Sequence, residues 1–175
     1  MTPKLRIGLI AFAASLGLDI LTKQLVIANL AYSDRIPIIE GFFYLTHVRN
    51  TGAAFGLFAE APAGIRLAFF VGVTIVAIGI IISFFRKLAP GDRLAAMALG
   101  LILGGAVGNL IDRIAYQEVV DFLRFHLWGG YAWPDFNVAD SCIVVGVGVL
   151  VLELLATEGE TRAKSVGSEG GESST

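Results

Sequence analysis

Four long apolar segments constrain this chain more than any other feature of its sequence. Because about 20 apolar residues in a helix span the hydrocarbon core of a bilayer, each segment predicts a transmembrane helix, the last two by extending into their flanks. The composition agrees, since 55% of the residues are hydrophobic and only 16% are charged, against about 25% in a soluble domain. The segments are residues 5–30, 65–85, 94–111 and 138–155.

The basic residues predict the orientation of the four helices. Seven of the 13 lysines and arginines lie in the amino end, the short second connection and the tail, which an even number of spans puts on one side. Short cytoplasmic loops are enriched in Lys and Arg, so both termini are predicted to be cytoplasmic and residues 31–64 and 112–137 extracytoplasmic. The net charge of −2 gives no reason to expect a nucleic acid partner.

The two outer connections contain patterns that a bundle of helices does not need. Runs of aromatic and β-branched residues at 36–39, 42–48 and 119–127 predict a small β-sheet at the membrane surface. Residues 53–60 are apolar on one side and predict a short surface helix. The predicted fold class is therefore an all-α membrane protein with four transmembrane helices, a small extracytoplasmic β-sheet and a short surface helix.

The domain organisation follows from where the apolar pattern stops. Residues 1–157 are predicted to form the four-helix transmembrane domain, whereas residues 158–175 turn to Gly, Ser, Glu and Thr without apolar periodicity. A segment of this composition cannot bury enough apolar surface to fold, so we expect a disordered cytoplasmic tail.

Two aspartates lie next to strongly apolar residues. Asp121 follows two valines, and Asp140 precedes the apolar run 141–155. A carboxylate at the centre of a bilayer costs about 2.5–3.5 kcal/mol on insertion scales, so such a residue usually faces a partner or a cavity. Two carboxylates near one membrane surface can share a proton and activate water, as in aspartic proteases. The pair predicts a hydrolase that acts in or at the membrane.

Further polar residues stand at helical spacing. Asp19 and Lys23 are four apart and share a helix face, where they either neutralise each other inside the bundle or orient a nearby site. Asn109 and Arg113 are also four apart, with Asp112 beside them, at the outer end of the third helix. Their position next to the second outer connection favours a function, such as binding of peptide carbonyls, a phosphate or a carboxylate.

Small residues in two places have a structural and a functional interpretation. The Asn50-x-Gly52 pattern is ordinary turn chemistry, but Gly52 and Ala53 also allow a backbone to approach a substrate chain closely. Spacing alone leaves both interpretations open there. Gly104 and Gly108 form a face for the close packing of another helix.

Other common hydrolytic chemistries lack their sequence patterns. His47 and His126 occur without a His-Glu-x-x-His pattern and are interpreted as surface or aromatic-packing residues. Cys142 is the single cysteine, which rules out an internal disulfide. No Gly-x-Ser-x-Gly pattern occurs, and Lys23 has no serine at a spacing that suits a Ser-Lys dyad. We therefore expect no metal and no cofactor, and assign any hydrolysis to the carboxylates.

Two other functions remain open on these residues. Charged residues inside membrane spans are also typical of ion or proton pathways in small transporters and channels. Here the polar residues cluster toward one membrane face, whereas an ion or proton pathway needs polar groups across the whole thickness of the membrane. The third possibility is a non-catalytic assembly partner that uses the small-residue helix faces as interfaces.

Five motifs, in order along the chain, resemble those of bacterial lipoprotein signal peptidase, the type II signal peptidase. They are Asp19-Ile-Leu-Thr-Lys23, Asn50-Thr-Gly-Ala-Ala-Phe55, Gly108-Asn-Leu-Ile-Asp-Arg113, Val119-Val-Asp-Phe122 and Phe136-Asn-Val-Ala-Asp140. The resemblance covers nearly the whole chain up to about residue 155. Five ordered motifs on a four-span protein are far more specific than any one of them alone.

This resemblance implies an aspartic endopeptidase of the bacterial cytoplasmic (inner) membrane, with its site at the extracytoplasmic face. Such enzymes remove the signal peptide from a diacylglyceryl-modified prolipoprotein by cutting before the lipidated cysteine. The implied catalytic residues are Asp121 and Asp140. The supporting and substrate-binding set is Asp19, Lys23, Asn50, Gly52, Ala53, Asn109, Asp112, Arg113 and Asn137. The expected partners are the diacylated prolipoprotein and membrane lipid, and the protein is expected to be a monomer.

Selectivity for such a substrate requires a place where its lipid is held. If diacylglycerol anchors the cysteine between helices, the preceding bond is placed against the two aspartates. The Gly104/Gly108 face and residues 53–58 are the predicted walls of this slot, because both flank the polar cluster.

Overall fold

The helices form the bulk of the molecule. The computed structural model describes residues 1–52 and 61–169, and the side chains of residues 1–52 and 61–156. Within these residues four helices are long and apolar enough to cross a membrane, which confirms the four predicted spans and the mostly helical fold class. They are α1 (Pro3–Asn29), α2 (Ala63–Lys87), α3 (Arg93–Tyr116) and α4 (Val138–Glu169).

α3 continues past its predicted end. It extends to Tyr116, beyond residue 111 and into the connection predicted at 112–137, and it includes Asp112 and Arg113, which the sequence predicts at the outer end of this helix. The helix ends where Gln117 adopts a left-handed conformation (φ 61°) and donates its N–H to the carbonyl of Arg113 over 3.0 Å. Glutamine is not a residue that predicts such an ending, which is why the sequence placed the boundary too early.

α4 also continues past its predicted end. The part of α4 that is apolar enough to span a membrane is Val138–Ala156, in agreement with the predicted fourth span. The backbone then stays helical to Glu169. Glu, Arg, Lys and Ala recur in this stretch, and these residues have high helix propensity.

Three strands form the small antiparallel sheet that the sequence predicts. They are β1 (Arg35–Ile39), β2 (Phe43–Asn50) and β3 (Val119–Phe125), in the order β1-β2-β3. β2 pairs with β3 from Phe43 opposite Phe125 to Asn50 opposite Val119, so the end of β2 lies beside the start of β3. The surface helix predicted at 53–60 lies outside the described residues.

α3 packs closely against α1 through glycine. A Cβ added to Gly104 would lie 2.7 Å from the Cβ of Ser15, and one added to Gly108 would lie 2.3 Å from Oδ2 of Asp19. Such distances leave room for a hydrogen atom only, so these glycines let the two backbones approach. The predicted close-packing face at Gly104 and Gly108 is confirmed. It brings the polar middle of α1 against the carboxyl-terminal half of α3.

A small apolar core connects the sheet to α1. Val120 and Phe122 of β3 pack with Val26 of α1, and all three are buried. Because successive side chains of a strand point to opposite faces, this packing turns Asp121 to the other face of β3. The core therefore fixes the position of Asp121 relative to the helices.

Candidate active site

Asp140 lies at the amino end of α4, inside a hydrogen-bonded cap. The side-chain oxygen of Asn137 accepts from the N–H of Asp140 over 3.0 Å, and the carboxylate of Asp140 accepts from the N–H of Asn137 over 3.2 Å. This is the reciprocal pattern of a capping box, with Asp in the position usually held by Glu or Gln. Asn109 of α3 donates to the other carboxylate oxygen over 2.8 Å. These donors and the positive end of the helix dipole all stabilise negative charge on Asp140.

Asp121 lies in β3 and is almost fully buried, with 1% of its surface exposed. Its partner across the sheet is Val48, and Asn50 stands two residues further along β2 on the same face. Asn50 donates to one carboxylate oxygen over 2.9 Å, and Asn137 donates to the other over 2.7 Å. Burial raises the pKa of Asp121 to about 7; the charge of Asp140 adds to this rise, while the two asparagine hydrogen bonds oppose it. Asp121 thus keeps its proton at pH values where an ordinary aspartate has lost it.

Two asparagines join these carboxylates into one cluster. The amide nitrogen of Asn137 that contacts Asp121 also lies 3.2 Å from the amide oxygen of Asn109. Asn109 in turn donates to Asp140. The structure thus brings together Asp121, Asp140 and both asparagines, which the sequence distributes over β3, α3 and the start of α4.

A buried lysine of α1 lies next to this cluster. Lys23 is 2% exposed, and its Nζ lies 2.8 Å from Asp19 and 3.0 Å from Asp112, both of which are also buried. The same nitrogen donates to the amide oxygen of Asn109 over 2.9 Å. A buried charge needs such partners, because it has lost its water. The two residues neutralise each other, as one interpretation predicts, and Lys23 also contacts the cluster, which the other interpretation requires.

Two backbone N–H groups tie the flanking carboxylates to the elements that carry the aspartates. Asp19 accepts from the N–H of Ala139, the second residue of α4, over 2.9 Å. Asp112 accepts from the N–H of Val120, directly before Asp121, over 3.0 Å. Helix α1 thereby holds the start of α4, and α3 holds the start of β3. Sequence reasoning missed both contacts, because nearly every residue type supplies a backbone N–H.

The Asn50-x-Gly52 pattern forms a turn and contributes to the site at the same time. The side-chain oxygen of Asn50 accepts from the N–H of Gly52 over 2.8 Å, and Gly52 has a φ of +87°, which suits glycine. The amide nitrogen of Asn50 remains available for Asp121. A Cβ on Gly52 would lie 2.4 Å from the ring of Phe70 in α2. Ala53 lies outside the described residues.

Arg113 lies beside the cluster. It donates to the backbone carbonyl of Asn109 over 3.3 Å, and its guanidinium stands 5.6 Å from the ring centre of Phe70. Its charge interacts with those of Asp140 and Asp121. Arg113 therefore supplies positive charge near the two aspartates while its side chain packs toward α2.

An apolar cavity of about 380 Å³ opens beside Asp140. Its other walls are Trp133, Phe136, Ser141, Val144 and Val145. Phe136 belongs to the fifth sequence motif, whereas Trp133 was not singled out from the sequence. A carboxylate at the edge of an apolar cavity can meet a substrate that is partly lipid-soluble.

The predicted wall of the lipid slot at Gly104 and Gly108 is wrong. Helix α1 fills that face, through the contacts with Ser15 and Asp19 described above, so a lipid chain has no space there. The spacing of the two glycines predicts close packing on that face, but it does not show whether a helix or a lipid packs there. The other predicted wall, residues 53–58, lies outside the described residues.

The two histidines pack against aromatic rings, as predicted. Nδ1 of His47 lies 2.9 Å from the carbonyl oxygen of Leu30, and its ring meets that of Tyr32 edge-on at 6.1 Å. The ring of His126 lies 4.8 Å from that of Tyr44. Among the described residues, no group of three His, Cys, Asp or Glu side chains is arranged to hold a metal ion.

Four membrane-spanning helices with two neighbouring carboxylates at one end, Asp121 buried and Asp140 partly buried, define a multi-pass membrane hydrolase of the aspartic class. The model of the signal peptidase (SPase) II family matches residues 11–156. The chain belongs to this family, and it is a membrane aspartic peptidase.

Individual relatives agree with this assignment. The lipoprotein signal peptidase of Geobacter sulfurreducens is 46% identical over 158 residues, which cover 90% of this chain and 97% of the relative. That of Bacillus pumilus is 43% identical over 145 residues, covering 83% and 90%. A solved structure of a bacterial membrane enzyme at 1.9 Å resolution superposes with a TM-score of 0.75 at 32% identity, covering 85% of this chain and 92% of that one. The transporter and assembly-partner alternatives are therefore set aside.

Proposed function

We propose that Asp121 and Asp140 are the catalytic residues of this peptidase. The observation that carries the proposal is the hydrogen-bonded chain Asp121–Asn137–Asn109–Asp140, which holds two carboxylates of different elements close together. Close like charges separate the ionisations of two carboxylates, so the pair holds one proton over the working pH range. The burial of Asp121 and the donors around Asp140 support placing this proton on Asp121.

The proposed reaction is a direct attack of water on the scissile peptide bond. Ionised Asp140 takes a proton from the water, whose oxygen bonds to the carbonyl carbon, while neutral Asp121 gives its proton to the carbonyl oxygen. In the resulting tetrahedral diol, Asp140 passes its proton to the amide nitrogen and the C–N bond breaks. One hydroxyl of the diol returns a proton to Asp121, which restores the starting state.

The asparagines are proposed to position the pair and to bind the substrate backbone. Asn50, Asn109 and Asn137 hold the carboxylates through the hydrogen bonds described above. A neutral amide offers both donors and an acceptor without changing the charge of the pair, which suits an extended peptide.

The remaining polar residues are proposed to act through the pair. Lys23, with Asp19 and Asp112, anchors the start of α4 and of β3, so its role is structural support of the catalytic geometry. Arg113 offsets part of the negative charge. Gly52 and Ala53 are proposed to let the substrate chain approach.

We further propose that the substrate is a prolipoprotein whose cysteine carries diacylglycerol, cut immediately before that cysteine. The relatives named above are lipoprotein signal peptidases, and the sequence motifs imply the same substrate. The cavity beside Asp140 supports the proposal because it is apolar and adjoins the membrane-spanning part of α4. The lipid would stay in the bilayer while the peptide bond reaches the pair.

The same prepeptide without its diacylglycerol should be cut at least tenfold more slowly, a deficit of about 1.4 kcal/mol in the barrier. The lipid positions the bond, and positioning alone is worth several kcal/mol in oriented reactions. The measurement is kcat/KM for both substrates in one detergent. Val144→Trp should reduce the difference in kcat/KM between the two substrates, because the larger side chain fills the cavity. Val147→Trp changes an exposed residue of the same helix that lies outside the cavity, and it should leave the difference unchanged. Equal values of kcat/KM for both substrates would show that the enzyme does not recognise the lipid.

Activity is expected to fall as the pH rises through about 7. The proposed acid is neutral Asp121, and with its pKa raised to about 7 this form is lost above that value. The profile belongs to the coupled pair and not to one residue alone. The check is kcat/KM between about pH 5 and about pH 9. A rate that still rises at the upper end would contradict the assignment of the proton to Asp121.

We propose that both termini are cytoplasmic, with the site at the extracytoplasmic face, and that residues 1–157 act as one monomeric peptidase domain followed by a cytoplasmic tail. The distribution of Lys and Arg supports this orientation. In a Cys142→Ser background, Glu40→Cys should react with a membrane-impermeant thiol reagent in intact cells, and Ser174→Cys should react only after lysis. The reverse pattern would invert the topology.

A further inference from the structure

A second cavity lies at the opposite end of the bundle from Asp121 and Asp140. It has a volume of about 520 Å³ and opens between α1, α2 and α3. We call it the terminal cleft; its apolar walls include Leu5, Leu9, Phe12, Ile82 and Phe85, and its basic residues are Lys4 and Arg86.

The terminal cleft has the depth of one membrane leaflet. Its α1 wall runs from Lys4 to Phe12, a rise of about 12 Å along the helix axis. One leaflet contributes about 15 Å to the hydrocarbon core, half of its total thickness. The apolar walls therefore match the acyl chain region, and the two basic residues stand at the level of the lipid headgroups.

Two basic residues, Lys4 and Arg86, line the terminal cleft, and the chain segments beside it carry a net positive charge. Residues 1–6 and 86–93 contain five basic residues and one acidic residue, Asp92. The carboxylate of Asp92 accepts from the backbone N–H of Ala89 over 2.8 Å. Lys4 donates to the carbonyl of Leu88 at the end of α2, while Arg86 is exposed. A ligand with a negative head and an apolar body complements this surface.

We propose that the terminal cleft binds one anionic phospholipid of the surrounding leaflet. Its phosphate lies between Lys4 and Arg86, and an acyl chain lies along the apolar walls of α1 and α2. The signal peptide of a substrate does not suit this position, because the amino-terminal region of signal peptides is positively charged and would be repelled.

The test is native mass spectrometry of the full-length protein in detergent, titrated with phosphatidylglycerol or with phosphatidylcholine of the same acyl chains. We expect one phosphatidylglycerol per protein, bound at least about fivefold more tightly than phosphatidylcholine, and about fivefold weaker binding after Arg86→Gln. Arg86 is the better choice for substitution, since Lys4 also holds the end of α2. Leu9→Trp should weaken the binding of both lipids, because the larger side chain fills the apolar part of the terminal cleft.

The matched control is Lys87→Gln, which removes the same charge one residue further along, outside the cleft. This variant should bind phosphatidylglycerol within twofold of the wild type, and the cleavage activity of every variant reports that it is folded. Equal losses in Arg86→Gln and Lys87→Gln would overturn the proposal, as would equal binding of the two lipids. Displacement of the lipid by inorganic phosphate or by a signal peptide would assign the cleft to another ligand.

Discussion

Asp121→Asn and Asp140→Asn should each reduce cleavage at least about a thousandfold, within the range expected for losing a general acid or base. Asparagine keeps the size of the side chain and one of its two acceptor oxygens, but it can neither accept the proton of the attacking water nor pass a proton to the substrate. The measurement is the rate at which the purified variants cleave a diacylated prolipoprotein. Each variant must have the elution volume and the unfolding transition of the wild type, so that a loss of activity is not a loss of folding.

Asp34→Asn is the matched control, since it makes the same change in an exposed carboxylate next to the sheet. This variant should cleave at the wild-type rate. If a well-folded Asp121 or Asp140 variant retained a tenth of the activity, that residue would be removed from the catalytic pair.

Lys23→Met is expected to cost about 3–5 kcal/mol of unfolding free energy, the usual loss when one partner of a buried charge group is removed. Methionine fills a similar volume, but Asp19 and Asp112 would then be buried without their cation. Denaturant unfolding in mixed micelles measures the change. The double variant Asp19→Asn/Lys23→Met should recover part of the loss, because it leaves one uncompensated carboxylate instead of two.

Arg124→Gln provides the comparison for this prediction. Arg124 also pairs with a carboxylate, that of Asp135, but it is 28% exposed. A partly exposed ion pair contributes less than a fully buried charge group, so this variant should lose less stability than Lys23→Met. A Lys23→Met protein as stable as Arg124→Gln would show that the buried charges are not coupled as described.

The elements of this fold could be read from the sequence because each depends on local chemistry. Apolar length predicts the spans, and runs of aromatic and β-branched residues predict the strands. The end of α3 was misplaced because Gln117 adopts its left-handed conformation without a sequence signal. The length of α4 was likewise not readable, since its backbone stays helical to Glu169 in a region without apolar periodicity.

The site could be predicted only in part. Spacing within one helix indicated Asp19 with Lys23, and the apolar surroundings of Asp121 and Asp140, together with the motifs, indicated the two aspartates. Contacts between elements do not follow from spacing, so the bridge from Asn137 to Asn109 and the backbone anchors of the cluster required the structure. Which aspartate holds the proton depends on burial, and burial is a property of the fold.

The most direct test of the central proposal is the identity of the cleaved bond. The purified protein is incubated with a diacylated prolipoprotein, and both products are identified by intact mass, with the Asp140→Asn variant in parallel. We predict a released signal peptide that ends directly before the cysteine, a mature fragment that keeps the diacylglycerol on its first residue, and no products from the variant. Cleavage at another bond, or equal cleavage by the variant, would contradict the proposal.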